Sequence, residues 1–360
     1  MKNINQIKKS RELLMLHCQT HPELQPQDLF KFIYQSSFGC EHMISSSEMV
    51  TDYIIEELNR GVKNSCPYIE PLDGDYSRVN LSYLNSGLSV QTLGRLFFLS
   101  AKKEPYGENE LKNKLNTAKE LMSEKLLPFA EADFEKQAEQ WKALGYPAVH
   151  HSAEYKEKYA PSYRVIANRY IAFLPLFAEI DKRLSEGTLR IAIEGKSASG
   201  KTTLGKMLKE IYGCTVFHTD DFFLRPEQRT PERYAEIGGN IDRERFIDEV
   251  LIPLSKDETI NYRRFDCSEM QLQAPTRIKP EKLTVIEGSY SMHPEFEGYY
   301  NFSVFLDISP QFQKERISKR NSPQLAERFF NEWIPLENTY FFATDIKKRC
   351  EMCITITPQA

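Results

Sequence analysis

The stretch Leu189-Arg-Ile-Ala-Ile-Glu-Gly195-Lys-Ser-Ala-Ser-Gly200-Lys201-Thr202-Thr203-Leu204 decides the reading of this chain. A short apolar run ends at Gly195, a small loop leads to Gly200-Lys201-Thr202, and Leu204, Met207, Leu208 and Ile211 then recur at helical spacing. Strand, glycine-containing loop and helix in that order satisfy the Walker A pattern at every fixed position. The glycines let consecutive N–H groups turn inward around a di- or triphosphate, and the helix N-terminus adds its partial positive charge. The run Gly195, Lys196, Ser197, Ala198, Ser199, Gly200, Lys201, Thr202 and Thr203 is therefore the expected cradle for ATP. Within it, Lys201 is to reach the β- and γ-phosphates and Thr202 to ligate Mg²⁺.

Outward from this loop, the C-terminal half alternates strands with helices. Strands are expected at 189–194, 214–219, 283–287, 303–307 and 352–356, and helices at 201–212, 242–254, 310–320 and 323–345. That order predicts an α/β fold, a parallel sheet flanked by helices. The preceding half reads as mainly α-helical, with helical patterns over 27–35, 47–58, 90–101, 110–122, 130–144 and 162–184. Leu174, Phe177, Ile180 and Leu184 carry the last stripe almost to Gly187, with a kink or short break expected at Pro175. A chain of 360 residues exceeds one ordinary core, so two domains are expected, 1–186 and 187–360.

Hydrophobic residues make up 41% and charged residues 27%, as in a globular chain rather than a disordered one. A formal net charge of −4 argues against an overall electrostatic footprint for nucleic acid or an anionic membrane. The first residues lack the apolar core of a signal peptide and no run is long enough to span a bilayer, so a cytoplasmic location is expected. The seven scattered cysteines do not form a disulfide framework, and Cys350 and Cys353 have neither a second pair nor nearby histidines to make a zinc site.

Downstream of the loop, His218-Thr219-Asp220-Asp221-Phe222-Phe223 lies at the end of the second expected strand, the edge where open α/β sheets hold ligands. A carboxylate there can take the proton of a hydroxyl attacking a γ-phosphate, although a helix cap or solvated turn is the plainer reading of an Asp-Asp pair in isolation. Glu287-Gly288 closes an apolar strand, within reach of Mg²⁺ or its waters. Arg316, Lys319 and Arg320 share one helical neighbourhood; they either close over a transferring phosphoryl group or form a solvated basic face.

Together these segments resemble the uridine kinase and phosphoribulokinase family of P-loop kinases, with a particular likeness to nicotinamide riboside kinases at Asp220-Asp221-Phe222-Phe223. The resemblance covers about residues 188–357. It implies Asp220 as catalytic base, Lys201, Arg316 and Arg320 as phosphoryl-stabilising groups, and Thr202 and Glu287 at the metal. It also implies Asp242, after Gly239-Asn240-Ile241, and Phe265-Asp266 at the acceptor. Two departures stand out. Met270 and Leu272 occupy the region where pyrimidine kinases carry a base-reading His and Arg, and the lid segment reads Arg316-Ile-Ser-Lys319-Arg320-Asn321 without the usual closing Arg-Asp.

The expected activity is transfer of the γ-phosphate of ATP to a hydroxyl of a nucleoside-like small molecule. A non-nucleoside acceptor of pantothenate or sugar type, or an ATP-gated regulator, are the alternatives. The expected partner is that small molecule, without nucleic acid or membrane; a homo-oligomer stays open. In the first half, two clusters exceed what a helical scaffold needs: Tyr34 to His42, and His150-His151-Ser152 with Tyr155, Tyr159, Tyr163, Arg164, Arg78 and Asn80. They form either a polar pocket for a small ligand or a set of packed structural histidines and tyrosines.

Overall fold

The structure, a computed structural model, describes residues 2–40, 46–62, 67–101 and 107–358. The chain forms two compact units, Met1–Ala178 and Glu179–Ala360, with the division falling inside the helix Leu174–Glu186.

The first unit is built mostly of helices, among them Lys2–Thr20, Pro26–Phe38, Ser47–Asn59, Val90–Ala101, Glu108–Ser123 and Glu131–Ala143. Their starts follow local chemistry. Pro26 opens its helix where a missing N–H costs nothing, and the Asp28 carboxylate accepts from the Gln25 N–H at 3.0 Å. Ser46 caps the next helix by accepting from the Met49 N–H. These helices accompany a three-stranded antiparallel sheet in the order β1 (Ile69–Pro71), β2 (Tyr76–Asn80), β3 (Tyr163–Ala167).

Strand β3 corrects the expectation of a single helix over 162–184. Tyr163-Arg-Val-Ile-Ala is rich in aromatic and β-branched residues and pairs along its whole length with β2, so tertiary pairing overrides the helical spacing. Helix resumes at Asn168–Ile171, a short break follows at 172–173, and a further helix starts at Leu174 with Pro175 in its first turn, so the expected interruption is a break and not a kink.

The second unit carries a five-stranded, all-parallel sheet in the order β12-β11-β4-β10-β5. Its strands are β4 (Leu189–Gly195), β5 (Thr215–His218), β10 (Leu283–Glu287), β11 (Phe302–Ile308) and β12 (Met352–Ile356). Between β5 and β10 run two antiparallel pairs, β6 (Ile260–Tyr262) with β9 (Thr276–Ile278) and β7 (Phe265–Asp266) with β8 (Gln271–Leu272). Every residue of β10 is buried, as a central parallel strand covered on both faces requires. Phe217, Ile286 and Phe305 of the sheet pack in one core with Phe222, Phe246 and Phe296.

Two helices expected to run unbroken are interrupted. A π-turn, Ile247–Leu251, precedes Pro253, and another, Phe329–Trp333, precedes Pro335. In each case the proline lacks the N–H for an i−4 bond and its ring crowds that carbonyl, and a widened turn accommodates both.

Truncation of Ile286, fully buried in β10, to alanine is expected to cost the C-terminal unit about 2–5 kcal/mol in denaturant unfolding followed by circular dichroism. A loss below about 1 kcal/mol would mean that this sheet is not the core of the unit.

Candidate active site

The loop between β4 and the helix Lys201–Tyr212 is shaped by backbone. Gly195 has φ 150°, and a Cβ there would lie 2.5 Å from the Leu306 carbonyl of β11, so only glycine lets the two strands approach. Ala198 and Gly200 also have left-handed φ values, 62° and 102°, which curl the loop into a concave array of N–H groups. Strain at Ala198 is the cost of that shape.

Lys201 is buried and its Nζ donates to the Gly195 carbonyl at 2.6 Å, the Lys196 carbonyl at 3.2 Å and Ser289 Oγ at 3.4 Å. Thr202 and Thr203 face outward into a cleft of about 580 Å³. Ser197, Ala198, Gly200, Asp220, Arg316 and Arg320 line the same cleft. Arg316 Nη1 donates to the Ala198 carbonyl at 3.0 Å, and Arg320 lies over the Phe329 ring.

The two neighbouring aspartates have different surroundings. Asp221 is buried, accepting from the Tyr262 hydroxyl at 2.6 Å and from Arg264 Nε at 3.0 Å. Asp220 opens into the cleft. The crowded protein around it, then Glu287 and Glu337, push its carboxyl up to about 6, while Lys201 and His218 pull the other way. Because the side chain is open to the cleft, water blunts the desolvation, and the neighbouring carboxylates are the firmer cause.

The remaining expected residues fall in different places. Glu287, buried at the end of β10, is hydrogen-bonded to His218 Nδ1, which raises the His218 pKa. Asp242 is not in the cleft. It caps the helix Arg243–Phe246, leaves Oδ2 without a hydrogen bond, and lines a separate cavity of about 520 Å³ with Arg225, Gln228, Arg233 and Arg245. That cavity adjoins the Asp220 segment, since the Asp242 N–H donates to the Phe222 carbonyl at 2.7 Å. Phe265 is buried and Asp266 is occupied within its own hairpin, accepting from Ser268 N–H and Oγ, the Glu269 N–H and Gln273 Nε2. Asp266 is not among the residues that line the Asp242 cavity, although Leu272 of its hairpin is.

Sequence reasoning missed two acids. The Glu337 carboxylate, from the helix Ile334–Thr344, accepts from the Ser197 N–H at 2.9 Å, from Ser197 Oγ and from Ser289 Oγ at 2.7 Å. No motif marks Glu337 in the sequence. Glu194 precedes Gly195 and is completely buried; burial pushes its carboxyl up to about 7 against the opposing pull of Lys201, the Gly195 and Met292 N–H groups and Tyr340. A charged residue inside an apolar strand was the available signal.

An anion cradle with no room for a Cβ at Gly195, a buried lysine and an outward threonine suit a nucleotide phosphate chain. Thr202 is positioned to reach a magnesium ion, whereas Glu287 would have to release His218 or act through water.

No family model and no curated protein matches the chain. Solved structures do. A possible uridine kinase from Bacillus stearothermophilus is similar at 20% identity over 49% of this chain and 99% of that chain, with a TM-score of 0.35. A putative fructose transport system kinase from Silicibacter sp. TM1040 is similar at 18% identity over 46% and 89%, with a TM-score of 0.38. Deoxyadenosine kinase from M. mycoides is similar at 15% identity over 48% and 92%, with a TM-score of 0.23. The sheet order and the loop make the C-terminal half an α/β region with a parallel sheet and a glycine-bounded loop at the end of β4. Among the described residues no helix is long and apolar enough to cross a membrane.

Glu194 gives a pH signature. Between its ordinary value of 4.5 and about 7, the unfolded chain has released this proton and the folded chain has not. Its contribution to stability therefore falls as pH rises through that window and is flat above it. Thermal melts from pH 5 to 8 are expected to show Glu194→Gln gaining on the parent as pH rises; parallel curves would mean that Glu194 ionises as an exposed carboxylate does.

Proposed function

We propose that this chain is an ATP-dependent kinase that transfers the γ-phosphate to a hydroxyl of a nucleoside-like small molecule. The observation that carries the reading is the convergence, in one cleft, of the phosphate loop with Lys201 and Thr202, the open carboxylate of Asp220, and Arg316 and Arg320.

Bound ATP supplies the phosphoryl group, and Mg²⁺ held at Thr202 would neutralise part of its charge. Lys201 gives up its carbonyl partners for phosphate oxygens. Asp220 takes the proton of the acceptor hydroxyl as that oxygen bonds the γ-phosphorus and the bond to the β-phosphate oxygen breaks. Arg316 and Arg320 stabilise the charge on the group in transit. Asp242, whose Oδ2 accepts no hydrogen bond and is held by the longer ion pairs to Arg225 and Arg245, is the acid available to a ribose hydroxyl. The arginines around it favour a second reading, an acceptor that carries its own carboxylate or phosphate, as a sugar derivative does.

Lys201→Ala is expected to lose about 10²–10³ or more in turnover with the fold intact by circular dichroism. Asp220→Asn should lower kcat by about 10²–10⁴ with little change in ATP affinity, because the amide keeps the shape and cannot accept the proton. Asp221→Asn should act on stability, through Tyr262 and Arg264. Parent turnover should fall as pH drops below about 6, where Asp220 takes up a proton. Equal damage from the two asparagine variants would remove Asp220 from the base role. An active ribonucleoside should be used far better than its 2′-deoxy form, and Asp242→Ala should erase that difference; activity only on acidic acceptors without a diol would favour the second reading.

A further inference from the structure

The first unit holds a constellation that the kinase reading does not use. His17 and His21 are one turn apart on the helix Lys2–Thr20 and the residue after it, a spacing that puts both imidazoles on one face. Glu70 comes from β1. One ring nitrogen of each histidine and one carboxylate oxygen of Glu70 lie within 4.8 Å of one another.

The surroundings fix each of the three groups. Glu70 Oε2 accepts from Arg78 Nη1 at 3.0 Å, which orients the carboxylate, and Oε1 faces His17 Nδ1 at 2.7 Å. His21 Nδ1 is 3.0 Å from both the His17 carbonyl and Thr20 Oγ1, partners that leave Nε2 as the nitrogen for an ion in the tautomer with the proton on Nδ1. His17 is almost wholly buried and stacked on Phe32, and its Nε2 has no hydrogen-bond partner. Its Nδ1, the nitrogen that faces Glu70, is the one within reach of an ion shared with that carboxylate.

We propose that His17, His21 and Glu70 form a binding site for a divalent transition-metal ion of the zinc type. Two imidazoles and one carboxylate are a donor set that zinc accepts with about 2.0–2.2 Å bonds, after the His17–Glu70 pair opens to admit the ion. The Arg78 contact to the far carboxylate oxygen is the outer support that ligating carboxylates commonly have. Three protein donors leave a coordination position free. The same residues line a cavity of about 420 Å³ with Asn80, Tyr155, Tyr159 and Tyr163, so that position faces space for water or a small ligand, unlike the closed shell of a structural zinc. The neighbouring guanidinium of Arg78 opposes the ion's charge, so zinc is expected to bind reversibly rather than be locked in by folding.

The test uses the full chain without nucleotide, titrated with Zn²⁺ by calorimetry and with Co²⁺ by visible absorption. One ion per chain is expected, at a dissociation constant tighter than about 10 µM, with a cobalt spectrum of low coordination number. His21→Ala, at a partly exposed position, and Glu70→Gln should each weaken binding at least about 100-fold, while circular dichroism of His21→Ala stays that of the parent. Absence of saturable binding, or binding that survives His21→Ala, would overturn the site. The kinase reading is unaffected by either outcome, because Lys201 and Asp220 lie in the other unit.

Discussion

The placement of one positive charge governs the second unit. Lys201 opens the helix after the loop and its buried ammonium points back to the end of β4, where a buried charge needs partners and the loop supplies them as carbonyls. Its charge acts on Glu194 and on Asp220, opposing the burial that raises the first and the neighbouring carboxylates that raise the second. The loop's N–H groups pose the opposite demand, for an anion. Here the Glu337 carboxylate answers part of it at Ser197. In the proposed reading, a phosphate entering the loop would take over interactions that the chain already makes internally.

Much of this was legible in the sequence because it is local. The strand, loop and helix around Gly195 and Lys201 are consecutive, and the buried strands β10 and β11 announce themselves as short apolar runs. Asp220 was legible from its place at a strand end. What separates it from Asp221 depends on Tyr262 and Arg264, residues distant in sequence that only folding brings near. Glu337 lies about 140 residues from the loop it touches, in a helix whose pattern says nothing of its target. Asp266 shows the reverse case. A position matched by resemblance is absorbed by its own turn, because a short Asp-x-Ser segment favours local hydrogen bonds.

The first unit was read less completely for a related reason. Helical spacing continued through Tyr163–Ala167, and pairing with β2 cannot be seen from one strand alone. The polar residues singled out there divide. His151, Tyr163 and Gln35 join Arg78 in one buried network, while Arg164 pairs with Glu57 and His150 is exposed. Asp28 anchors that network by accepting from His151 and Ser152 as well as from its own helix start. Glu41 and His42 lie outside the described residues. Arg78, fully buried between the Phe32 and Tyr163 rings, ties two strands and a helix to one cavity wall.

The central claim, phosphoryl transfer to a small hydroxyl compound, is tested most directly by phosphorus-31 NMR of the chain with magnesium-ATP and a panel of ribonucleosides, vitamins and sugar derivatives. The account predicts loss of the γ-phosphate signal matched one for one by a new phosphomonoester resonance with at least one acceptor. Release of inorganic phosphate at the same rate with and without every acceptor would contradict it.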